Sequence, residues 1–406
     1  MAWGLHKSLI VKKSVENSVT SLIPTTYLQN HKNTTLVLDN ESASELTRFK
    51  TPWIVSTIDW VDSMKRRAIV WLCETTGKSI LKLTDEDYNK NGLSDLLALE
   101  GSSYDLNISM FNHFQNTITG WPGGKPGADD STRPERKSPN SKRVIIFSPH
   151  PDDDVVSMGG TFDRLVSQGH EVHIAYQVKG NIAVSDHDAL KFIEVSKDMF
   201  KNDSKVPVGQ LIKELVNNKP DKIDSQAVRD LKGFIRKREA IAATRYIGIP
   251  DSNTHFMNLP FYDTGRIKKN PPTTKDVLIT ASLIKKIKPH QIFAAGDLED
   301  PHGTHKVCLD VILDSLDTLK GEKFIKDCWL WLYRGAWLDW DVHDIDMAVP
   351  MSPAQVLRKR KAIFFHQTQK DGVMFQGQDL REFWVRAEER NSETAEKYKK
   401  MGLADY

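Results

Sequence analysis

The chain has 406 residues, 39% hydrophobic and 27% charged, with a formal net charge of +2. That length allows two domains and a sizeable core, and the composition is that of an ordinary soluble protein. The near-zero charge excludes the basic footprint of a nucleic-acid or acidic-membrane partner, and no apolar run reaches membrane-spanning length. The three cysteines, Cys73, Cys308 and Cys328, have no metal-type spacing and form no even set. They read as reduced, buried thiols of a cytoplasmic protein. The apolar run Leu9-Ile-Val11 is too short for a signal peptide.

Residues 1–50 carry Gly4-Leu-His-Lys7, Ser18-Val-Thr20, Thr26-Tyr-Leu-Gln-Asn-His31 and Leu36-Val-Leu-Asp39. These stretches resemble the C-terminal segment of glucosamine-6-phosphate deaminases/isomerases. In that family a lysine matching Lys7 contacts the sugar phosphate, but the catalytic acids and histidine precede this segment. Deamination is therefore not expected here. The expectation is a leftover helix and strand packed on the next unit of the chain.

Residues 51–140 show helical patterns at 57–73, 86–99 and 106–118, with bulk from Trp53, Trp60 and Trp71 and no evident chemistry. The breaker-rich run from Gly120 to Gly127 cannot hold a helix and reads as a linker or strap. The domain boundary is expected near 140.

From 141 to 406 the pattern alternates. Strands are predicted at 144–148, 171–178, 254–259, 291–296 and 328–333. Helices are predicted at 155–168, 186–200, 225–247, 274–288, 303–319, 353–366 and 379–400. Alternation of this kind implies an α/β fold: a Rossmann-like, mostly parallel sheet with helices on both faces. Ligands of such sheets gather at the carboxyl ends of strands. There, after the apolar run Val144–Phe147, the chain places His150, Asp152, Asp153 and Asp154. Three acids and an imidazole on one turn resist burial unless a cation gathers them. The bland alternative is a solvated acidic cap on the following helix. A second polar turn, Asp297 to His305, follows the run Gln291–Ala295 and carries His302 and His305 three residues apart. Two turns after two strands can converge at one end of a sheet. A nucleotide-binding domain would need Gly-x-Gly-x-x-Gly where this chain has His-Pro-Asp-Asp-Asp, and acids there repel phosphate.

The Pro-His-Pro-Asp-Asp-Asp turn with the later His-x-x-His resembles the PIG-L/LmbE-type zinc-dependent de-N-acetylases, over about residues 142–406. Those enzymes cut the N-acetyl amide of GlcNAc-containing substrates. The resemblance implies a Zn2+ held by His150, Asp153 and His305, with Asp152 as general base and His302, as imidazolium, on the reacting carbonyl. Two imidazoles and one carboxylate leave the ion a net positive charge and an open position, the pattern of a hydrolytic site. His302 as a fourth ligand would instead close it. The family more often has Glu where this chain has Asp154. Arg238, Asp263, Asn181 and His366 are weaker candidates for substrate contact. The expected partner is a small-molecule amino sugar, and an oligomer is left open. Two other readings stand beside this one. One is a non-heme iron(II) enzyme using His150-x-Asp152 with His305. The other is a non-catalytic sugar-binding module with a vestigial metal site.

Overall fold

The computed structural model describes residues 1–129, 131–199, 208–218, 223–298, 300, 302–370 and 381–403. Glu299 and Pro301 of the second polar turn lie outside the described residues. So do position 200 and positions 379–380, at the ends of two predicted helices. Two compact units emerge. The smaller comprises Met1–Gln115 with Val342–Asp344 and Lys397–Ala404; the larger comprises Asn116–Asp341, Ile345–Glu396 and Asp405–Tyr406.

The smaller unit is helical. Asp62–Thr76 is its longest complete helix, closed by Gly77 in the left-handed region. Its apolar face buries Ala68, Ile69, Val70, Leu72 and Cys73. Trp53 packs between Trp60 and Trp71, with ring centroids 6.1 and 5.4 Å away. The predicted single helix at 86–99 is two, Asp85–Lys90 and Ser94–Glu100, interrupted at Gly92. The first fifty residues form the helix Ser8–Glu16 and short turns. The expected strand is only an isolated bridge between Ala2 and Leu38. Val11 and Ala43 are buried there, while Leu9 and Leu22 are 61% and 90% exposed, and the helix Ser8–Glu16 packs on Asn40–Ala43 and Pro24–Asn30, within the first fifty residues themselves.

The larger unit is built on a five-stranded parallel sheet in the order β3-β2-β1-β4-β5. The strands are β1 (Arg143–Ser148), β2 (Glu171–Tyr176), β3 (Thr254–Phe256), β4 (Gln291–Ala295) and β5 (Trp329–Tyr333). Successive side chains of β1 face opposite sides, as the period of two requires. Val144 and Ile146 join Val172, Ile174 and Phe293 against the helices Asp153–Ser167, Gln226–Ile247 and Pro353–Phe364. Ile145 and Phe147 join Ala175, Ile292 and Ala294 against Thr274–Ile287 and Thr304–Thr318. Burial on both faces explains why β1 and β4 read as unbroken apolar runs. The fold is the predicted one. The helix Val208–Val216 has no counterpart in the sequence reading: it is nine residues long and contains Gly209.

The breaker-rich run packs as a strap within this unit. Gln291 Nε2 donates to Pro122 O at 3.1 Å, and the buried Lys142 Nζ reaches the carbonyls of Gly123, Arg136 and Pro139. Cys73 and Cys308 are buried as expected, but Cys328 is only half-buried. Among the described residues no helix is long and apolar enough to cross a membrane.

Strand β1 is flanked by β2 on one side and β4 on the other, so the chain leaves β1 and β4 in opposite directions across the sheet. The crevice this opens at their carboxyl ends is where α/β sheets take ligands. Both polar turns lie there.

Candidate active site

The first turn is held from within. Ser148 Oγ donates to His150 O at 2.5 Å and accepts the Asp154 N–H at 3.1 Å, closing the chain between strand and helix. Asp153 Oδ2 accepts the His150 N–H at 2.8 Å and lies 3.2 Å from His150 Nδ1. The second turn is fixed by Asp300, whose two oxygens accept the N–H groups of Thr304 and His305 at 2.8 and 3.0 Å and so cap the Thr304–Thr318 helix. Gly303 between the two histidines has φ 64, a conformation that favours glycine.

These two anchors bring His150, Asp153 and His305 together, with one donor atom from each lying within 4.8 Å of the others. His305 is 1% exposed. Its Nδ1 lies 2.7 Å from Asp297 O, which fixes the ring. Its Nε2 lies 3.2 Å from Asp153 Oδ2, at an angle too poor for a hydrogen bond, and is left buried without one. Burial opposes charge on His305, but Asp153, then Asp300 and Asp297, outweigh it and raise its pKa to about 10. Burial likewise opposes charge on Asp153, and the two histidines outweigh it, holding the acid well below the usual carboxylate range.

Asp152 turns the other way. Its Oδ1 accepts from Arg236 at 2.8 Å. Burial raises its pKa, and Arg236 works against that rise. Arg236 is 1% exposed, and its Nε finds no partner among the described residues. Gly180 makes room for this pair: a Cβ there would stand 2.9 Å from Pro151 Cδ and 3.4 Å from Arg236 Nε. Asp154 faces neither group. It is fully buried, with Oδ2 accepting from Tyr176 OH at 2.9 Å and Oδ1 3.3 Å from Ser148 Oγ. Burial pushes it up to about 7. The third acid is a buried tie between β1, β2 and the helix.

Asp152 and His302 both line an open cleft of about 630 Å³ above the His150/Asp153/His305 cluster, with walls that include Ile182, Tyr262, Lys269, Trp337 and Phe383. Burial pushes His302 below its ordinary pKa, and His150 adds to the shift. The weaker candidates fare differently. Arg238 is exposed and does not line the cleft; Arg236 does. The two are about 200° apart around one helix, so only one can face inward. Asp263 is exposed, 3.7 Å from Lys179 and 3.6 Å from Arg229, and outside the lining. Asn181 is buried, and its neighbours Ile182 and Ala183 line the cleft instead. His366 is fully buried and also outside the lining; burial pushes its pKa down to about 3.

Sequence reasoning missed Arg236, Lys269, Trp337 and Phe383. Arg236 carried a signal, because Glu239 lies three residues on and shares its helical face. Glu239 accepts the Thr368 N–H and hydroxyl, both at 2.8 Å, and so sets the segment bearing Gln369. Asp297 accepts the N–H groups of Trp337 and Leu338, which seats Trp337 in the wall.

Residues 145–316 match the family model PIG-L, described as GlcNAc-PI de-N-acetylase, and this span contains both polar turns. The resemblance drawn from those turns holds over it. The whole chain is 50% identical, over 415 aligned residues, to a Bacteroides thetaiotaomicron protein named as glucosamine-6-phosphate deaminase-like. The chain spans 63% of the length of that relative. A 46-residue stretch, 11% of the chain, is 46% identical to a glucosamine-6-phosphate deaminase of Streptococcus suis and covers 20% of it. Among solved structures, N,N'-diacetylchitobiose deacetylase from Pyrococcus horikoshii matches with a TM-score of 0.38 and 18% identity, over 66% of this chain and 82% of that one.

Proposed function

We propose that the cleft is the active site of a metal-dependent hydrolase that removes the N-acetyl group from a GlcNAc-type amino sugar or its conjugate. The observation that carries this reading is the convergence of His150, Asp153 and His305, with the buried Nε2 of His305 left without a hydrogen bond. A divalent cation satisfies that nitrogen and the Asp153 charge together, and two imidazoles with one carboxylate suit zinc. A cation held there supplies Lewis acidity, polarising an amide carbonyl and lowering the pKa of water.

The other residues have separable tasks. Asp152, in the cleft but outside the cluster, takes a proton from the attacking water and passes it to the leaving amine nitrogen. A C–O bond forms, the C–N bond breaks, and acetate and the free amine leave. Arg236 holds Asp152 in place. His302 is expected to meet the carbonyl oxygen as charge develops there. Its lowered pKa favours a neutral imidazole donating an N–H bond over the imidazolium of the sequence reading. The cleft lining, mostly apolar with a few polar groups converging beside the cluster, suits a small molecule.

The iron(II) reading needs Asp152 between the imidazoles, and that acid is paired with Arg236 instead. In the same proposal residues 1–50 are a deaminase-like remnant without deaminase activity, 51–140 a helical extension and strap, and 141–406 the deacetylase part. Three cysteines without disulfides support a cytoplasmic setting. The test is acetate release from a panel of N-acetylated amino sugars, with and without chelator. Chelator-sensitive release that His305→Ala abolishes is the expected result. No release from any sugar, with metal restored, would sink the proposal.

A further inference from the structure

Among the described residues, two Lys or Arg side chains line the cleft, Arg236 and Lys269, and they differ in how their charge is met. Arg236 is neutralised by Asp152 at 2.8 Å. Nearby cations outside the lining are also matched: Lys179 by Asp230 at 3.2 Å, and Lys232 by Asp186 and Asp224 at 2.6 and 2.8 Å. Lys269 has no carboxylate partner among the described residues. Its Nζ donates to Arg266 O at 2.7 Å and stands 3.9 Å from the centroid of the Tyr262 ring. The residue is half-buried, and burial alone pulls its pKa down to about 8. A cation kept partly out of water without a counter-charge is a cost that an anionic ligand removes.

The position is as telling as the charge. The Tyr262 ring lies 6.3 Å from the ring of His150, so Lys269 Nζ stands within 10.2 Å of the metal cluster's first histidine, the sum of the two separations. Its charge bears on His302 across the same cleft. One sugar ring, with its amide at the cluster, bridges that gap. The apolar walls of Ile182, Trp337 and Phe383 limit water there and strengthen any ion pair.

We propose that Lys269 reads an oxyanion on the substrate, so that the sugar this cleft takes carries a phosphoryl or carboxylate group besides its N-acyl amide. A lysine ammonium suits either as a point charge. The inference rests on the hydrolase reading for the identity of the ligand, and its test does not depend on turnover.

The experiment is calorimetric binding of three sugars to the full chain with metal restored: N-acetylglucosamine, its 6-phosphate and N-acetylmuramate. One or both acidic sugars should bind about 10- to 100-fold tighter than the neutral one, the scale of one charge-assisted hydrogen bond. The tighter of the two identifies phosphoryl or carboxylate as the natural group. Lys269→Met should collapse the preference, and Lys269→Arg should keep most of it, which guards against a folding defect. Acidic sugars that bind no tighter than the neutral one, including no binding at all, overturn the inference. So does a preference that survives Lys269→Met. Failure of acetate release alone would remove the hydrolase reading and leave this result standing.

Discussion

The two walls of the cleft are built by opposite means. One wall is His150, Asp152 and Asp153, the first and last of which cluster with the buried His305. It comes from two short turns at adjacent strand ends, and hydrogen bonds within a few residues hold Asp153 on the His150 backbone and the His305 backbone on Asp300. The other wall is Arg236, Tyr262, Lys269, Trp337, Gln369 and Phe383. It comes from separate segments spread along more than a hundred residues, and long-range contacts seat them, such as Asp297 with Trp337 and Glu239 with Thr368. The first wall concentrates charge and is rigid by local geometry. The second spreads apolar area and hydrogen bonds over many contributors. A concentrated wall should fail completely when one member is removed, and a distributed wall by degrees.

The sharpest break is in the first wall. His305→Ala should abolish metal binding and turnover together, because removing one of three ligands leaves a buried carboxylate and one imidazole. Elemental analysis alongside acetate release checks this, and retained stoichiometric metal would refute it. Next is the link between the walls. Arg236→Met leaves Asp152 buried without its partner, and turnover should fall roughly 10- to 100-fold with metal content unchanged; Arg236→Lys should recover part of the loss. Within the second wall, Trp337→Ala should raise KM about tenfold with a small change in kcat, as the loss of binding area predicts. A kcat collapse would give Trp337 a different role.

The smallest effect lies behind the first wall. Lys359 is buried against Gly159, and burial pulls its pKa from 10.5 to about 8. Between those values the folded protein binds fewer protons than the unfolded chain, so stability should rise as pH increases through that window. Denaturation midpoints at pH 7.5 and 9.5 measure this, and Lys359→Met should flatten the difference.

The same contrast explains what can be read from sequence. The strands β1 and β4 are legible because burial on both faces leaves unbroken apolar runs, and the polar turns because their members are close in sequence. Arg238 stands out over Arg236 only when side-chain chemistry is weighed without helical phase. Lys269, Trp337 and Phe383 carry no local mark, since only the tertiary fold gathers them. Asp154 has no assigned task in the sequence and is a buried tie to Tyr176, a role visible only once β2 is placed beside β1.

The central claim is that neighbouring acids, Asp153 and Asp152, divide metal holding from proton transfer. Asp153→Asn and Asp152→Asn, each assayed for zinc content and for acetate release with and without excess zinc, test it directly. Asp153→Asn should lose zinc and regain part of its activity when zinc is supplied in excess. Asp152→Asn should keep zinc and stay slow at any zinc concentration, by about 10²–10⁴-fold in turnover. The reverse pattern, with Asp152→Asn losing the metal and Asp153→Asn keeping it, would contradict the account, as would full activity in both.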